Sequence, residues 1–292
     1  VILTEGTGCA ELGAVGLYRG QRGRMQIEVE VTGKSCHGSM PWEGRNPLEY
    51  GASIIVEAAE RSRNAEGFSR DAFLGPGTRT ASFASLATPS DCAVPERFTF
   101  RFDRRLTAGE DPEAALEDVR RLESVVRATA DGLRVDVRAP LYTEPTWKGY
   151  RLNNPQIYPG WVTPADHASV RAAVDAYKQV ASPVIRSRET RGELRREPRV
   201  ARWIFSTDGV GFPTRANGKL TIPDSKLWVR DGEFRYPAML GIGPGIEQNT
   251  HKIGECVDSR EFVPVVAFLA RFPTLYHATK SASVTSAAVL SL

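Results

Sequence analysis

A histidine that follows a glycine-rich loop is the first residue of this sequence that could bind a metal. His251 comes after the apolar run 238–242 and the Gly-Pro-Gly loop 243–245, and Glu255 follows four residues later. A buried strand that ends in such a loop places polar side chains at the carboxyl edge of an α/β sheet, where ligands commonly bind. The pattern predicts a metal ligand at His251, with Glu255 orienting the loop or accepting a hydrogen bond from it.

A carboxylate follows a second predicted buried strand. Residues 1–4 are apolar or β-branched and predict a short strand, with Glu5 at its carboxyl end. Imidazole and carboxylate are both zinc ligands, and zinc takes three or four of them. Glu5 and His251 lie far apart in the sequence, so only a shared sheet edge could bring them together. Taken singly, a capping glutamate and a surface histidine are the simpler interpretations.

A third candidate lies in the segment GKSCHGSMP. His37 follows an alternating strand, and Gly38 and Ser39 allow a sharp turn that exposes the ring. Such an imidazole could donate a hydrogen bond to an oxyanion, and a surface-loop histidine is the competing interpretation. Cys36 does not predict a Cys–His nucleophile, because adjacent residues on a strand point to opposite faces.

Two more polar groups end predicted strands. Asp103, Arg104 and Arg105 end an alternating strand, and an arginine fork such as that of Arg105 could bind a substrate carboxylate. A salt-bridged sheet edge explains the same residues equally simply. The turn 206–209 ends another buried strand, and Asp208 could be a catalytic carboxylate or an ordinary turn residue.

The elements that must position these residues form an α/β layer with an α+β module inserted into it. Residues 24–140 predict the order strand, helix, strand, strand, helix, strand, which is a ferredoxin-like βαββαβ unit. Residues 1–23 and 141–275 predict the two parts of the α/β catalytic domain, and 276–292 is a tail without assigned structure. The polar residues at the strand ends of the α/β layer would face one crevice.

Helix signals are clearest within the inserted module. Asn46 and Pro47 predict the N-cap and first position of one helix, and Asp111 and Pro112 predict the same for a second helix over 111–129. In the strand between them Phe98, Phe100 and Phe102 alternate with polar residues and so share one face. A helix capped by Asp258 or Ser259 is predicted after His251.

Composition excludes several classes of protein. The chain has 292 residues, 41% hydrophobic and 25% charged, with a net charge of +3, as in a soluble globular protein of one or two domains. We expect no nucleic-acid partner: the charge is spread along the chain, and the basic stretch 186–199 also carries three glutamates. We expect no membrane partner, because no apolar run reaches the length of a span. Four widely spaced cysteines predict reduced thiols in a cytoplasmic protein.

Four segments, in order, resemble a known family: LTEGT, YRGQRGRMQIEVEVTGKSCHGSMP, FDRRLTAGED, and FSTDGVGF followed by GPGIEQNTHKIGECVD. The family is that of the co-catalytic zinc amidohydrolases and peptidases, which includes acetylornithine deacetylase, succinyl-diaminopimelate desuccinylase, aminoacylases and glutamate carboxypeptidases. The resemblance extends over about 1–273 and includes the branch of selenium-metabolism hydrolase-like proteins. The short motifs are weak one by one, and their order makes the likeness specific.

The resemblance implies roles for five residues. Glu5 and His251 would each bind a different one of two Zn²⁺ ions, with Co²⁺ or Mn²⁺ as alternatives. His37 would be catalytic, stabilising the oxyanion and reaching a partner subunit's site as in several members of the family. Thr207 and Asp208 would contact substrate.

For the complete protein the resemblance implies hydrolysis of N-acyl amino acids or small peptides by a zinc-activated water, with a glutamate moving the proton. The inserted module would be a lid that also forms a homodimer. Whether the protein is a deacetylase or a peptidase stays open. The alternative is a non-catalytic dimerisation or binding protein that retains the lid fold.

Two departures from the family pattern matter. Gly6 stands where the family usually has proline. The family's H-x-D segment, bridging aspartate and Glu-Glu pair lie upstream of the strand that matches residues 1–5, and this sequence does not contain them. The sequence also starts without methionine inside a predicted buried parallel strand, which needs neighbours. We therefore expect an N-terminally truncated chain that is inactive alone.

Overall fold

The structure is a computed structural model. It describes residues 1–9, 15–151, 153–186, 196–211, 214–215, 234–235, 237–250 and 252–289. His251 lies outside this part of the chain, as does most of the segment 213–236. The chain divides into two compact units: unit 1 comprises Val1–Gln21, Trp161–Thr214 and Arg235–Leu292, and unit 2 comprises Arg22–Gly160 and Arg215–Phe234.

The strands are, in chain order, β1 (Ile2–Leu3), β2 (Leu17–Gln21), β3 (Gly23–Thr32), β4 (Cys36–His37), β5 (Arg70–Asp71), β6 (Gly75–Pro76), β7 (Thr78–Ala87), β8 (Ala93–Val94), β9 (Arg97–Leu106), β10 (Arg134–Arg138), β11 (Leu141–Tyr142), β12 (Asn154–Pro155), β13 (Ile157–Tyr158), β14 (Trp161–Val162), β15 (Val200–Trp203), β16 (Thr214–Arg215), β17 (Phe234–Arg235) and β18 (Leu240–Gly241). The α-helices are α1 (Pro47–Arg63), α2 (Pro112–Arg120), α3 (Glu123–Ala130), α4 (Ala168–Arg186) and α5 (Phe262–Val289).

The main sheet of unit 2 has the strand order β10-β3-β9-β7, and each neighbouring pair is antiparallel. Along the chain the order is β3, α1, β7, β9, α2 with α3, then β10, which is the predicted order of the inserted module. β13 also pairs with β3, at Ile157↔Met25 and Tyr158↔Arg24. This pairing keeps 141–160 in unit 2, whereas the sequence pattern assigned that segment to the α/β part.

Packing explains why unit 2 forms this sheet. Phe98, Phe100 and Phe102 are all buried on one face of β9, with the Phe100 and Phe102 rings edge to face at 5.4 Å. They pack in one core with Ile54 of α1 and Val119 of α2. Burial of these side chains is the main free-energy gain of the fold, at roughly 25 cal/mol per Å² of apolar surface.

The caps of α1 and α2 agree with the sequence signals. The Asn46 side chain accepts a hydrogen bond from the Leu48 amide at 3.1 Å. The Asp111 carboxylate accepts from the Glu113 amide at 2.9 Å. Each cap satisfies an amide that has no partner within its helix.

The single helix predicted over 111–129 is wrong, because the structure divides it into α2 and α3. Leu122 leaves the helical conformation, with φ −58° and ψ 136°. The Glu57 carboxylate, on α1, then accepts hydrogen bonds from the amides of Glu123 (2.9 Å) and Ser124 (2.7 Å). A new helix can begin here because a side chain from another helix satisfies its first amides.

Unit 1 contains a mixed sheet. β1 runs parallel to β18, with Ile2 opposite Leu240 and Leu3 opposite Gly241. β18 is antiparallel to β2, which pairs in turn with β15 in parallel and β14 antiparallel. The rings of Tyr18 and Trp203 meet edge to face at 5.1 Å beside this sheet.

Helices α4 and α5 share the second core of unit 1. Ala173 and Tyr177 of α4 pack in one buried cluster with Phe268 and Phe272 of α5. A 3₁₀ turn precedes α5, and Asp258 caps it by accepting from the Arg260 amide at 3.0 Å. α5 extends to Val289, so 276–289, which the sequence left unassigned, is helical.

None of the helices in the described part of the chain is long and apolar enough to cross a membrane.

Candidate active site at the edge of unit 1

Glu5 follows β1 and lines a cavity of about 600 Å³ in unit 1. Glu255 and Thr250 line the same cavity, and Thr250 directly precedes His251. The residues on both sides of the predicted ligand His251 therefore share a cavity with Glu5. Phe262 and Val265, from the start of α5, supply part of an apolar wall.

Backbone hydrogen bonds continue the β1–β18 pairing past the ends of the strands. The Thr7 amide donates to the Gly243 carbonyl at 3.1 Å, and the Gly8 amide donates to the Gly245 carbonyl at 2.8 Å. The Glu247 amide then donates to the Gly8 carbonyl at 3.1 Å. The segment that carries Glu5 and the loop that leads to His251 are thus joined residue by residue.

Close backbone approach explains one glycine of this loop. A Cβ atom on Gly243 would lie 2.2 Å from the Thr4 carbonyl oxygen and 2.3 Å from that of Glu5. Gly245 has φ +102°, a left-handed conformation that side chains rarely adopt. The Gly-Pro-Gly sequence therefore allows the loop to pass directly over the backbone of Glu5.

The donor chemistry of this edge fits a divalent metal, because carboxylate oxygens such as those of Glu5 and Glu255 are common ligands of Zn²⁺. Within the described ranges no group of three or more His, Cys, Asp or Glu side chains could hold a metal. Glu5 and Glu255 thus offer part of a ligand set. His251, the other predicted ligand, lies outside the described residues.

The buried carboxylate of Glu261 forms a hydrogen bond with the Gly-Pro-Gly loop. Glu261 accepts a hydrogen bond from the Gly245 amide at 2.7 Å and is 9% exposed. Burial raises the pKa of the Glu261 carboxyl, although the Gly245 amide acts in the opposite direction. Glu261 therefore holds the loop at the residue with the left-handed conformation.

His37 lies in unit 2, in β4, which pairs antiparallel with β8, and it is exposed. The Ser39 amide donates to Nδ1 of His37 at 3.1 Å, and the Ser39 hydroxyl lies 2.8 Å from the same atom. An amide can only donate, so Nδ1 must accept and the neutral ring carries its proton on Nε2. The thiol of Cys36 donates to the Met40 carbonyl instead, at 3.3 Å.

Thr207 and Asp208 differ in exposure. Thr207 is buried, and its amide donates to Oε1 of Gln21 at 2.9 Å, as does its hydroxyl. Asp208 is exposed and begins a 3₁₀ turn, Asp208–Gly211. The turn is tied to the Glu5 segment through Trp203, whose indole N–H donates to the Gly6 carbonyl at 2.9 Å.

Arg105 has an acidic partner within its own strand. Its Nε donates to Asp103 at 2.6 Å and its Nη2 to the second oxygen of Asp103 at 3.3 Å. Nε of Arg24, on β3, also contacts Asp103 at 3.2 Å. These contacts match the salt-bridged sheet, which was the alternative to the interpretation that Arg105 binds substrate.

The predicted residues therefore fall into two groups. Glu5, Thr207 and Asp208 lie in unit 1, and His37 and Arg105 lie in unit 2.

Sequence reasoning missed a polar network around the buried Tyr18 in unit 1. Nη1 of Arg199 donates to the Tyr18 hydroxyl at 2.9 Å, and that hydroxyl donates to Glu247 at 3.2 Å. Burial and the nearby Glu247 raise the pKa of Tyr18 to about 12. Glu247 also accepts from the Ile204 amide at 3.3 Å. No local pattern joins these residues; a glutamate two residues after the Gly-Pro-Gly loop was the available signal.

Residues 19–124 match a family model described as a peptidase dimerisation domain, M20_dimer. The match covers β3 to α2 and extends into the start of α3. The M20 family is generally metal-dependent.

Among curated proteins, the chain is similar to YgeY of Escherichia coli strain K12, with 34% identity over 280 residues. YgeY of E. coli O157:H7 matches equally well. The alignment covers 96% of this chain and 58% of YgeY, so the chain spans less than two thirds of the length of these relatives.

Solved structures share the fold at low sequence identity. An amidase of the hydantoinase/carbamoylase family from Burkholderia vietnamiensis has a TM-score of 0.54 and 16% identity, over 95% of this chain and 53% of the amidase. A tripeptidase from Staphylococcus aureus has a TM-score of 0.53 and 15% identity, over 91% and 55%. The di-peptidase Dug1p from Saccharomyces cerevisiae has 0.54 and 13%, over 94% and 58%. The mixed α/β fold is therefore that of amidases and peptidases.

Proposed function

We propose that this chain is part of a metal-dependent hydrolase that cleaves the amide bond of N-acyl amino acids or small peptides. The observation that carries the proposal is the edge of unit 1, where Glu5 shares a cavity with Thr250 and Glu255, on either side of His251. The amidase and peptidase fold supports the reaction class. The chain spans 58% of YgeY, and we assign the remaining ligands and the general base to the part of the whole protein beyond this chain.

Glu5 and His251 are the proposed metal ligands, one for each of two Zn²⁺ ions, with Co²⁺ or Mn²⁺ as alternatives. Such ions, when bound, supply Lewis-acid activation of water and of the scissile carbonyl. Glu255 lies on the same cavity and would orient the loop or accept a hydrogen bond from a ligand.

His37 is the proposed catalytic residue of unit 2. Because the Ser39 amide occupies Nδ1, the neutral imidazole presents an N–H at Nε2. That N–H can donate to the oxyanion that develops when water adds to an amide carbonyl. The exposure of the ring supports its access to a substrate bound elsewhere in the dimer.

The three residues predicted to contact substrate differ in their exposure and in their present hydrogen-bond partners. Asp208 is exposed and could bind the amino group of a peptide or order a water. Thr207 and Arg105 would contact substrate only if they exchanged their present partners, Gln21 and Asp103. We therefore propose Asp208 as the first of the three to test.

A second copy of the chain is the proposed partner, paired through β7. β7 ends the sheet order of unit 2, and residues 80–87 carry no charge. Phe83 and Leu86 are 47% and 41% exposed on this strand. An edge strand with a long uncharged stretch is a ready partner for another strand, and β7 lies within the match to the dimerisation domain.

The test measures hydrolysis by a longer protein that includes the upstream sequence and has the length of YgeY. N-acetyl amino acids and dipeptides are the substrates, with and without a chelator. We expect activity that the chelator removes and Zn²⁺ restores. Glu5→Gln should lower kcat by at least about 100-fold, while Glu96→Gln, an exposed glutamate of unit 2, should leave it unchanged. A folded, metal-loaded dimer without hydrolysis of either substrate class would instead support the non-catalytic dimerisation protein.

A further inference from the structure

We propose that Thr7 is a positioning residue of the metal site: its hydroxyl fastens the segment that carries Glu5 to the loop that leads to His251. The inference rests on the proposed function, in which Glu5 and His251 bind metal.

The hydroxyl of Thr7 is buried and its hydrogen-bonding capacity is filled. It donates to the Gly243 carbonyl at 3.0 Å. It accepts from the Gly243 amide at 3.2 Å and from the Gly16 amide at 3.2 Å. A hydroxyl has one proton and two lone pairs, so these three bonds use all of them. Thr7 is 0% exposed.

The location of these bonds connects Thr7 to both proposed ligands. Thr7 lies two residues after Glu5, and Gly243 opens the loop that leads to His251. From Gly243 onward, hydrogen bonds follow the loop: the Asn249 amide donates to the Ile246 carbonyl at 2.9 Å, and the Thr250 amide to that of Glu247 at 3.3 Å. A displacement of Gly243 would therefore displace the loop as far as Thr250.

The same bonds control the backbone of Glu5. Gly243 packs so closely on it that even a Cβ atom would approach the Glu5 carbonyl oxygen to 2.3 Å. A shift of Gly243 must then move Glu5, the loop or both. Metal affinity depends steeply on ligand geometry, so we expect Thr7 to set the affinity of the Glu5–His251 edge.

If Thr7 had only a structural role, its substitution would have a different effect on metal binding. Thr7→Val keeps the shape of the side chain and leaves the amides of Gly243 and Gly16 without the hydroxyl. Under either view this variant is less stable. Only a positioning role predicts weaker metal binding by molecules that remain folded, and recovery of that binding when serine returns the hydroxyl.

The experiment uses the protein extended to the length of YgeY, which would hold the remaining ligands, and follows His37, His167, His251 and His277 by nuclear magnetic resonance during titration with ZnCl₂. His251 should respond to Zn²⁺ in the unaltered protein. In Thr7→Val the Zn²⁺ midpoint at His251 should rise by about ten-fold or more, and Thr7→Ser should stay within about two-fold of the unaltered protein. The responses of His37, His167 and His277 should not differ between variants.

The outcomes separate the two proposals. If His251 of the folded, unaltered extended protein ignores Zn²⁺, the assignment of His251 as a ligand is wrong. If His251 responds and Thr7→Val has the same midpoint as Thr7→Ser, the positioning role is wrong and the ligand assignment stands. If Thr7→Val does not fold, Thr7→Cys replaces it, because a thiol makes weaker hydrogen bonds; an unchanged midpoint in Thr7→Cys overturns the positioning role.

Discussion

The backbone amide of Ser39 donates a hydrogen bond to Nδ1 of His37 at 3.1 Å. Two residues of one short turn therefore decide which nitrogen of an exposed imidazole bears the proton. The consequence is an outward N–H at Nε2, the arrangement that an oxyanion donor requires.

The first prediction concerns this tautomer. In the neutral ring of His37, the ¹⁵N chemical shifts should show protonated Nε2 and unprotonated Nδ1. Ser39→Ala keeps the amide and should keep the tautomer, whereas Ser39→Pro removes the donor and should raise the population with the proton on Nδ1. A dominant Nδ1–H form in the unaltered protein would contradict the proposed role of His37.

The second prediction concerns the side chain that begins α3. Burial raises the pKa of Glu57, but the hydrogen bonds from Ser124 and Glu123 outweigh this and lower it overall. We expect Glu57→Ala to reduce the free energy of unfolding by about 1–2 kcal/mol at pH 7, as loss of a helix cap does. Chemical denaturation measures the change, with Glu60→Gln, an exposed glutamate on α1, as the control.

The stabilisation by Glu57 should also depend on pH. A lowered pKa in the folded state gives stability that is present above the unfolded value, near 4.5, and lost as the pH falls through the folded value. The difference between the unaltered protein and Glu57→Gln should therefore shrink between pH 5 and about pH 3. A difference that stays constant over that range would show that the charge of Glu57 contributes nothing.

The third prediction concerns Glu261, whose pKa is shifted in the opposite direction to that of Glu57. Burial raises the pKa of Glu261, so its charged form is disfavoured in the folded protein. The stability that Glu261 contributes is complete below its unfolded value, near 4.5, and is lost as the pH rises through the raised folded value. Glu261→Gln keeps an oxygen for the Gly245 amide without the charge. Its melting temperature relative to the unaltered protein should be higher at pH 7 than at pH 4, and the reverse order would contradict this account.

The fourth prediction tests the edge strand. Leu86→Lys places a charge on β7 and should weaken the dimer by about ten-fold or more, measured as a dissociation constant by analytical ultracentrifugation. Val126→Lys, at a residue of α3 that is 59% exposed, introduces the same charge away from β7 and should leave the constant unchanged. Equal effects of the two variants, or none, would place the dimer contact elsewhere.

Sequence patterns predicted the features that depend on neighbouring residues. Asn46 and Asp111 cap their helices because a cap and its amide lie two residues apart. Strict alternation likewise placed Phe98, Phe100 and Phe102 on one buried face. The order of the elements in unit 2 followed from such local signals.

Features set by distant residues could not be predicted. The break between α2 and α3 depends on Glu57, more than sixty residues earlier. Thr7 is a further case, since two of the three hydrogen bonds of its hydroxyl reach Gly243, near the other end of the chain. Arg105 shows a third limit: an arginine fork looks the same in a sequence whether it binds a substrate or Asp103.

The most direct test of the account is the metal content of the protein extended to the length of YgeY. Mass spectrometry of the purified, dialysed protein should find about two divalent metal ions per chain. Glu5→Ala and His251→Ala should each remove about one of them, while Glu96→Ala removes none. Retention of the full metal content by both ligand variants, with the fold intact, would show that the edge of unit 1 is not the metal site.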